Sequence, residues 1–245
     1  MNRPRTAIVT GAASGIGAAT VTELVARGYR VACLDRDGPG VRAIAAAAGA
    51  EHPAFVVDVT DEPAITAAIA DAARALGGLD ALVTSAGVAE MTPFMDLDAA
   101  TFRSVYDHNV VGTFLCIREA ARHMTKGGRI CTVASVAGLR GGGLSGTAAY
   151  AASKGAVLAL TKNAARSLAD RGIAVNTVAP GATNTPMIAH VFANEAHRKR
   201  VESMSVMNRA AQADEIARAI AFLVSPEASY VDGATLVVDG GLCMY

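Results

Sequence analysis

The chain has 245 residues, 52% of them hydrophobic, and its 22 basic and 22 acidic residues leave no formal net charge at pH 7. That balance offers no broad positive field for nucleic acid or an anionic membrane, and no apolar run approaches the roughly 20 residues needed to span a bilayer. Arg3 and Arg5 precede a strand-like run rather than the apolar core of a signal peptide. Cys33, Cys116, Cys131 and Cys243 are scattered without metal-ligand spacing. They are expected to be free thiols in a reducing, cytoplasmic setting, with no metal site.

In chain order, Thr6–Thr10 is a short continuous apolar run, as a parallel strand buried on both faces requires. The loop Gly11-Ala-Ala-Ser14-Gly15-Ile16-Gly17 follows at once, and an amphipathic helix then runs to about Arg27. Strand, glycine-rich turn and helix in that order predict a dinucleotide-phosphate site, where bare backbone and a helix N-terminus meet the pyrophosphate. A second strand, Arg30–Leu34, ends in Asp35, an acid placed to accept from ribose hydroxyls and to repel a 2′-phosphate. Arg36 beside it is the counter-signal, since an arginine can hold that phosphate. A helix from about Gly40, a strand Ala54–Val57, a helix Glu62–Leu76 and a strand Leu79–Thr84 continue the alternation. It predicts an α/β fold, a doubly wound parallel sheet of about seven strands with helices on both faces, in one domain spanning 1–245.

One long helix is expected from about Asp98 to Met124, carrying His108 and Asn109 near its middle. His108 reads as packing or surface rather than chemistry. A strand Arg129–Ala134 delivers Ser135 to its C-terminal end, where open α/β sheets place ligands. The stretch from Gly138 to Thr147 reads as a loop at the substrate mouth, with Ser145 and Thr147 less suited than Ser135 to meet a substrate oxygen. Tyr150 and Lys154 then open a helix running to about Ala169, four residues apart and so on one face. An ammonium near a phenol favours phenolate and lowers a pKa that is otherwise about 10, which makes the pair a general acid/base for a hydroxyl or carbonyl. A strand Ile173–Val178 leads into the turn Pro180-Gly181, and a helix Asp214–Leu223 and a strand Thr235–Val238 complete the sheet.

The segment 186–208 fits no core and is expected to be a substrate lid, with Met187, Ile188, Val191 and Phe192 on one apolar helical face. Arg198, Lys199, Arg200 and Arg209 read either as a clamp for a substrate anion or as a solvated face partnered by Glu195 and Glu202.

Thr10–Gly17, Asp58-Val59, Ser85-Ala86-Gly87, Asn109, Ser135, Tyr150 with Lys154, Pro180-Gly181 and Thr185 occur in the order seen in the short-chain dehydrogenase/reductase family, which the chain resembles along essentially its whole length. The resemblance implies that Asp58, Val59, Ser85, Ala86 and Gly87 line the adenosine side of the cofactor. It also implies that Asn109 bends its helix and holds a relay water beside the lysine, and that Thr183 and Thr185 contact the carboxamide or phosphates. Thr84-Ser85 departs from the family's Asn-Asn at those positions, and the serine-to-tyrosine spacing is two residues longer than the commonest one. A homotetramer, or a dimer, is implied as well.

The expected function is therefore hydride transfer between NAD, rather than NADP, and a secondary alcohol or ketone. Tyr150 is the acid/base, Ser135 orients the oxygen, Lys154 tunes the tyrosine and holds the ribose, and Asn109 supports the relay. An NADPH-dependent 3-ketoacyl-type reductase is the alternative within this chemistry. A non-catalytic dinucleotide sensor is the alternative outside it, and the intact Ser135, Asn109, Tyr150 and Lys154 argue against that one.

Overall fold

The computed structural model describes residues 3–142 and 148–244. Strand β1 is Thr6–Thr10 and is buried throughout, followed by helix α1 (Gly15–Ala26) and strand β2 (Arg30–Asp35). Helix α2 (Gly38–Ala48) starts where the Asp37 carboxylate accepts from Gly40 N at 3.1 Å, and strand β3 (Ala54–Val56) follows. Asp61 caps α3 (Glu62–Leu76) in the same way, and Gly77 ends that helix at φ 74, a left-handed conformation that costs glycine little. Strand β4 is Leu79–Thr84, and Asp98 caps α4 (Ala99–Tyr106).

The long helix expected from Asp98 to Met124 is interrupted. A π turn over Asp107–Val111 separates α4 from α5 (Gly112–His123). Its cause is Asn109, whose side chain is fully buried and bonds away from its own helix. Strand β5 (Met124–Val133) begins five residues earlier than the sequence suggests. Residues Val136–Arg140, which include the first three residues of the loop expected from Gly138, form a short helix α6 capped by Ser135. Residues 143–147, with Ser145 and Thr147, lie outside the described residues. Helix α7 (Ala148–Leu168) leads to β6 (Ala174–Pro180) and the two-residue strand β7 (Thr183–Asn184). A 3₁₀ turn at Pro186–Ile188 precedes α8 (Ala189–Phe192) and α9 (Glu195–Glu202). Strand β8 (Ala211–Gln212), α10 (Ala213–Leu223) and β9 (Thr235–Val238) end the order.

Seven strands form one parallel sheet in the order β3-β2-β1-β4-β5-β6-β9. Because the chain runs outward in one direction from β1 and in the other from β4, the order reverses between those two strands, which opens a crevice at their C-terminal ends. Alternation along the strands feeds two cores. Ile8, Leu82 and Ile130 pack with α3 and α5 on one face, while Ala7, Val9, Val83 and Cys131 pack with α1 and α10 on the other. Each fully buried Ile or Leu contributes roughly 1.5–3 kcal/mol, so the sheet holds the crevice rigidly. Cys33, Cys116 and Cys131 are buried free thiols, and burial pushes all three up to about 12.

Candidate active site

The crevice is lined by loops that leave the C-terminal ends of β1, β2, β3, β4, β5 and β6. At β1 the backbone of Gly11 turns at φ +67 and lies against the next loop; a Cβ on it would stand 2.6 Å from Ala86 N. Gly17 is as tight, since a Cβ there would meet Gly11 O at 2.0 Å. Ser14 precedes α1 without capping it through its side chain, so the first-turn N–H groups face the crevice. Such a bare, donor-rich cradle fits the pyrophosphate of a dinucleotide.

Asp35 ties this loop to β2. Its Oδ2 accepts from Ala13 N at 3.0 Å and its Oδ1 from Asp37 N at 2.9 Å, which leaves lone pairs on both oxygens toward the crevice. Beyond it Arg36 Nη1 lies 3.7 Å from Asp58 Oδ2 and 3.2 Å from His108 Nε2. Burial pushes the Asp58 carboxyl up, but bonds from Thr60 N and Oγ1 at 2.9 and 2.8 Å, with the Arg36 guanidinium nearby, hold it below the usual range. Asp58 and Val59 line the crevice together with Ser85, Ala86 and Gly87. The β4 loop is steadied by Thr10, whose carbonyl accepts from Ser85 N and whose hydroxyl accepts from Ala86 N. The hydroxyl of Thr84, at one of the two positions that depart from the family pattern, is buried with no hydrogen-bond partner among the described residues.

Asn109 works as a clamp. Its Oδ1 accepts from Val88 N at 2.8 Å, and its Nδ2 donates to Val88 O and to Ser153 Oγ, both at 2.9 Å. The β4 loop, the π turn and α7 are thereby fixed to one another. Gly87 sits at this junction: a methyl on it would come within 3.1 Å of Asn109 Oδ1 and 3.4 Å of Lys154 Nζ.

Ser135 leaves β5, and its Oγ accepts from Ala137 N at 3.1 Å while sharing a hydrogen bond with the Tyr150 phenol. Lys154 lies one helical turn on, its Nζ 5.8 Å from the centre of the Tyr150 ring and donating to Val133 O at 2.8 Å. Ser135, Tyr150 and Lys154 thus share one wall of the crevice, with Asn109 behind them. Burial reverses the electrostatics that the sequence spacing leads one to expect. Burial raises the Tyr150 phenol above 10.0, with only the Ser135 hydrogen bond pulling it down. Burial also lowers Lys154 to about 8, because its ammonium faces one carbonyl and little solvent. Tyr150 remains partly accessible through the cleft, yet the surrounding packing dominates its ionisation.

Pro180 and Gly181 turn under the crevice, Gly181 N donating to Val238 O at 3.0 Å. Thr183 and Thr185 line it, and the Thr185 methyl would stand 3.3 Å from a Cβ on Gly15, so this strand end packs over the phosphate loop. Pairing of β7 with β8 holds that stretch in place. Among the lining residues that the sequence reading did not assign to the cofactor site are Val57, Val88, His108 and Ala182, whereas Arg36 was singled out there as a possible phosphate partner. For His108 the available signal was its position next to Asn109, obscured because a regular helix was assumed there.

The segment after Thr185 differs from the expected single apolar face. Ile188 and Val191 turn inward to pack with Val201, while Met187 is exposed and lines the crevice with Ile188. The basic residues do not line it. Arg198 pairs with Glu195 at 2.9 Å and Lys199 with the same carboxylate at 3.5 Å. Arg209 makes two 2.7 Å bonds to Glu215, bracing the start of α10. Arg198 and Lys199 thus have the Glu195 partner that the solvated-face reading expects, whereas Arg209 takes Glu215 instead.

Comparison with known proteins agrees with this architecture. A family described as Enoyl-(Acyl carrier protein) reductase matches residues 11–243. The chain is 42% identical over 242 residues to a cis-4-hydroxycyclohexanecarboxylate dehydrogenase of Sinomonas cyclohexanicum, covering 97% of this chain and 96% of that one. A solved glucose/ribitol dehydrogenase of the short-chain type from Brucella melitensis superposes with a TM-score of 0.92 at 33% identity, covering 98% and 97% of the two chains. A short-chain dehydrogenase from Burkholderia cenocepacia in complex with NADP gives 0.90 at 34% identity, covering 97% of each. The chain belongs to the short-chain dehydrogenase/reductase family of nicotinamide-dependent alcohol oxidoreductases.

Proposed function

We propose that this chain uses NAD to interconvert a secondary alcohol and its ketone, with a ring-borne hydroxyl as the preferred substrate class. The observation that carries the reading is the hydrogen-bonded Ser135–Tyr150 pair with Lys154 one turn away, beside a cradle bare enough for a dinucleotide. The cofactor supplies a nicotinamide C4 that accepts or gives hydride. The chain's residues do the rest. Ser135 Oγ donates to the substrate oxygen. Tyr150 takes the hydroxyl proton in oxidation as the carbinol C–H pair leaves as hydride, and returns a proton to the oxygen in reduction. Lys154 binds the ribose and, when charged, favours the phenolate. Asn109 holds the wall on which both stand and supports the relay water.

NAD is favoured because Asp35 presents acceptors where ribose hydroxyls would lie and Ser14 adds no positive charge to the loop. The ring preference rests on similarity to the hydroxycyclohexanecarboxylate dehydrogenase. Arg36, and the similarity to a short-chain dehydrogenase solved with NADP, favour instead an NADP-linked ketoreductase. The segment 186–208 acts as a lid, since Met187 and Ile188 already reach the crevice. The protein assembles as a tetramer or dimer through the outer face of α5 and the preceding turn, where Val111 and Phe114 are exposed, and it works in the cytoplasm.

A panel of cyclic and acyclic secondary alcohols, assayed with NAD and separately with NADP, tests the reading. Turnover of 4-hydroxycyclohexanecarboxylate or a neutral cyclohexanol with NAD is expected. Turnover of acyclic substrates alone would remove the ring preference. A kcat/KM with NADP equal to or above that with NAD would remove the cofactor assignment. In the second case Asp35→Ala should also fail to narrow the preference, whereas the present reading expects it to narrow.

A further inference from the structure

Arg36, next to the β2 end, is placed to meet a 2′-phosphate, yet one nitrogen of its guanidinium is already engaged. Nη1 stands 3.2 Å from His108 Nε2 and 3.7 Å from Asp58 Oδ2. The orientation of that imidazole is set from its other side, where His108 Nδ1 lies 2.8 Å from Ser104 O. A carbonyl can only accept, so Nδ1 carries the proton and Nε2 presents a lone pair to the Arg36 N–H. Arg36 thus lies between an aimed acceptor and a carboxylate. Asp58 is itself fixed by two bonds from Thr60, so its end of the arrangement is anchored as well. His108 reaches Arg36 from the π turn that Asn109 creates, which joins the β2 end of the crevice to the wall carrying Lys154.

We propose that His108 is a positioning residue for cofactor choice: with Asp58 it holds Arg36 Nη1 across the adenosine end of the crevice, so that a 2′-phosphate has to compete with His108 for Nη1 to pair with the whole guanidinium fork, whereas a free ribose diol need not. This rests on the reading of the chain as NAD-preferring and assigns part of that preference to a residue outside the β2 end. Removing the imidazole acceptor releases Arg36 and improves binding of the 2′-phosphorylated dinucleotide relative to the unphosphorylated one. The expected gain is about tenfold, the size of one hydrogen bond to a charged group.

The test is direct binding of NADH and NADPH to the intact protein, followed by fluorescence and needing no alcohol substrate. The chains compared are the unaltered protein, His108→Leu, Arg36→Leu and the double variant. The ratio of Kd for NADPH to Kd for NADH should fall about tenfold in His108→Leu, and the change should vanish in the Arg36→Leu background. A shift of the same size with Arg36 absent would mean that His108 acts by another route and would overturn the proposal. So would an unchanged ratio in His108→Leu, or one that moves toward NADH. If the unaltered protein binds neither dinucleotide, the functional reading and this inference fall together. If it binds NADH tightly and only the ratio is insensitive to His108, this inference alone falls.

Discussion

Tyr150 and Lys154 illustrate how a buried pair of ionisable groups can oppose itself before a ligand arrives. Low solvation penalises phenolate and ammonium alike, so the tyrosine moves up and the lysine down to about 8, away from the charged pair that hydroxyl activation needs. The sequence spacing correctly places the two groups on one face, but spacing carries no information about desolvation. The ribose and phosphates that Lys154 is proposed to meet favour its charged form. Above pH about 8 the site must therefore take up a proton as cofactor binds. NADH affinity should fall as pH rises from 7 to 9.5, by up to about tenfold per unit past the lysine's pKa, and the slope should disappear in Lys154→Met. Titrations that are flat across that range would separate Lys154 from cofactor binding. The stability sign runs the other way. With the folded pKa below the ordinary lysine value of 10.5, the unfolded chain binds more protons between the two values, and Lys154 adds stability as pH rises through that window.

At the scale of elements, the regular strands and helices were readable because their periodicity is strong. Thr6–Thr10, Glu62–Leu76, Leu79–Thr84 and Thr235–Val238 have the bounds that the residue pattern suggests. What the pattern concealed was irregular backbone set by single side chains. A periodic run from Asp98 to Met124 hides the π turn, because the apolar residues on both sides remain in phase with a helix. The short pairing of β7 with β8 was hidden too, since two-residue strands carry no alternation. Resemblance to a family, rather than periodicity, suggested that Asn109 bends its helix. Asn109→Ala would leave Val88 N and O without the side-chain partner they have now, and Ser153 Oγ with only its bond to Tyr150 O. It should lower unfolding free energy by about 2–4 kcal/mol, read from the denaturant midpoint at unchanged slope. A loss under about 0.5 kcal/mol would show that the clamp is not structural.

Across the whole molecule, the parallel sheet and its switch point between β1 and β4 bring together residues more than a hundred positions apart, such as Gly15 and Thr185. The order of strands was legible as a class of fold from the β–α alternation, while the long-range contacts that build the crevice were not. Exposed Val111 and Phe114 on one side, and Tyr230 and Leu236 elsewhere, are apolar surface that a monomer of 24.9 kDa would leave in water. Sedimentation at micromolar concentration should therefore give two or four times that mass, and Phe114→Glu should shift it downward. A monomer mass for the unaltered chain would contradict the proposed assembly without touching the chemistry of the cleft.

That chemistry depends most on Tyr150, and steady-state turnover of Tyr150→Phe tests it most directly. The substitution keeps the ring that packs beside Lys154 and removes only the hydroxyl that Ser135 meets. NADH affinity within a few-fold of the unaltered protein, with kcat reduced at least 10²-fold, is the predicted result, since general acid/base catalysis contributes roughly 10²–10⁴-fold. A variant that binds NADH and retains more than about a tenth of kcat would contradict the assignment of Tyr150 as the acid/base.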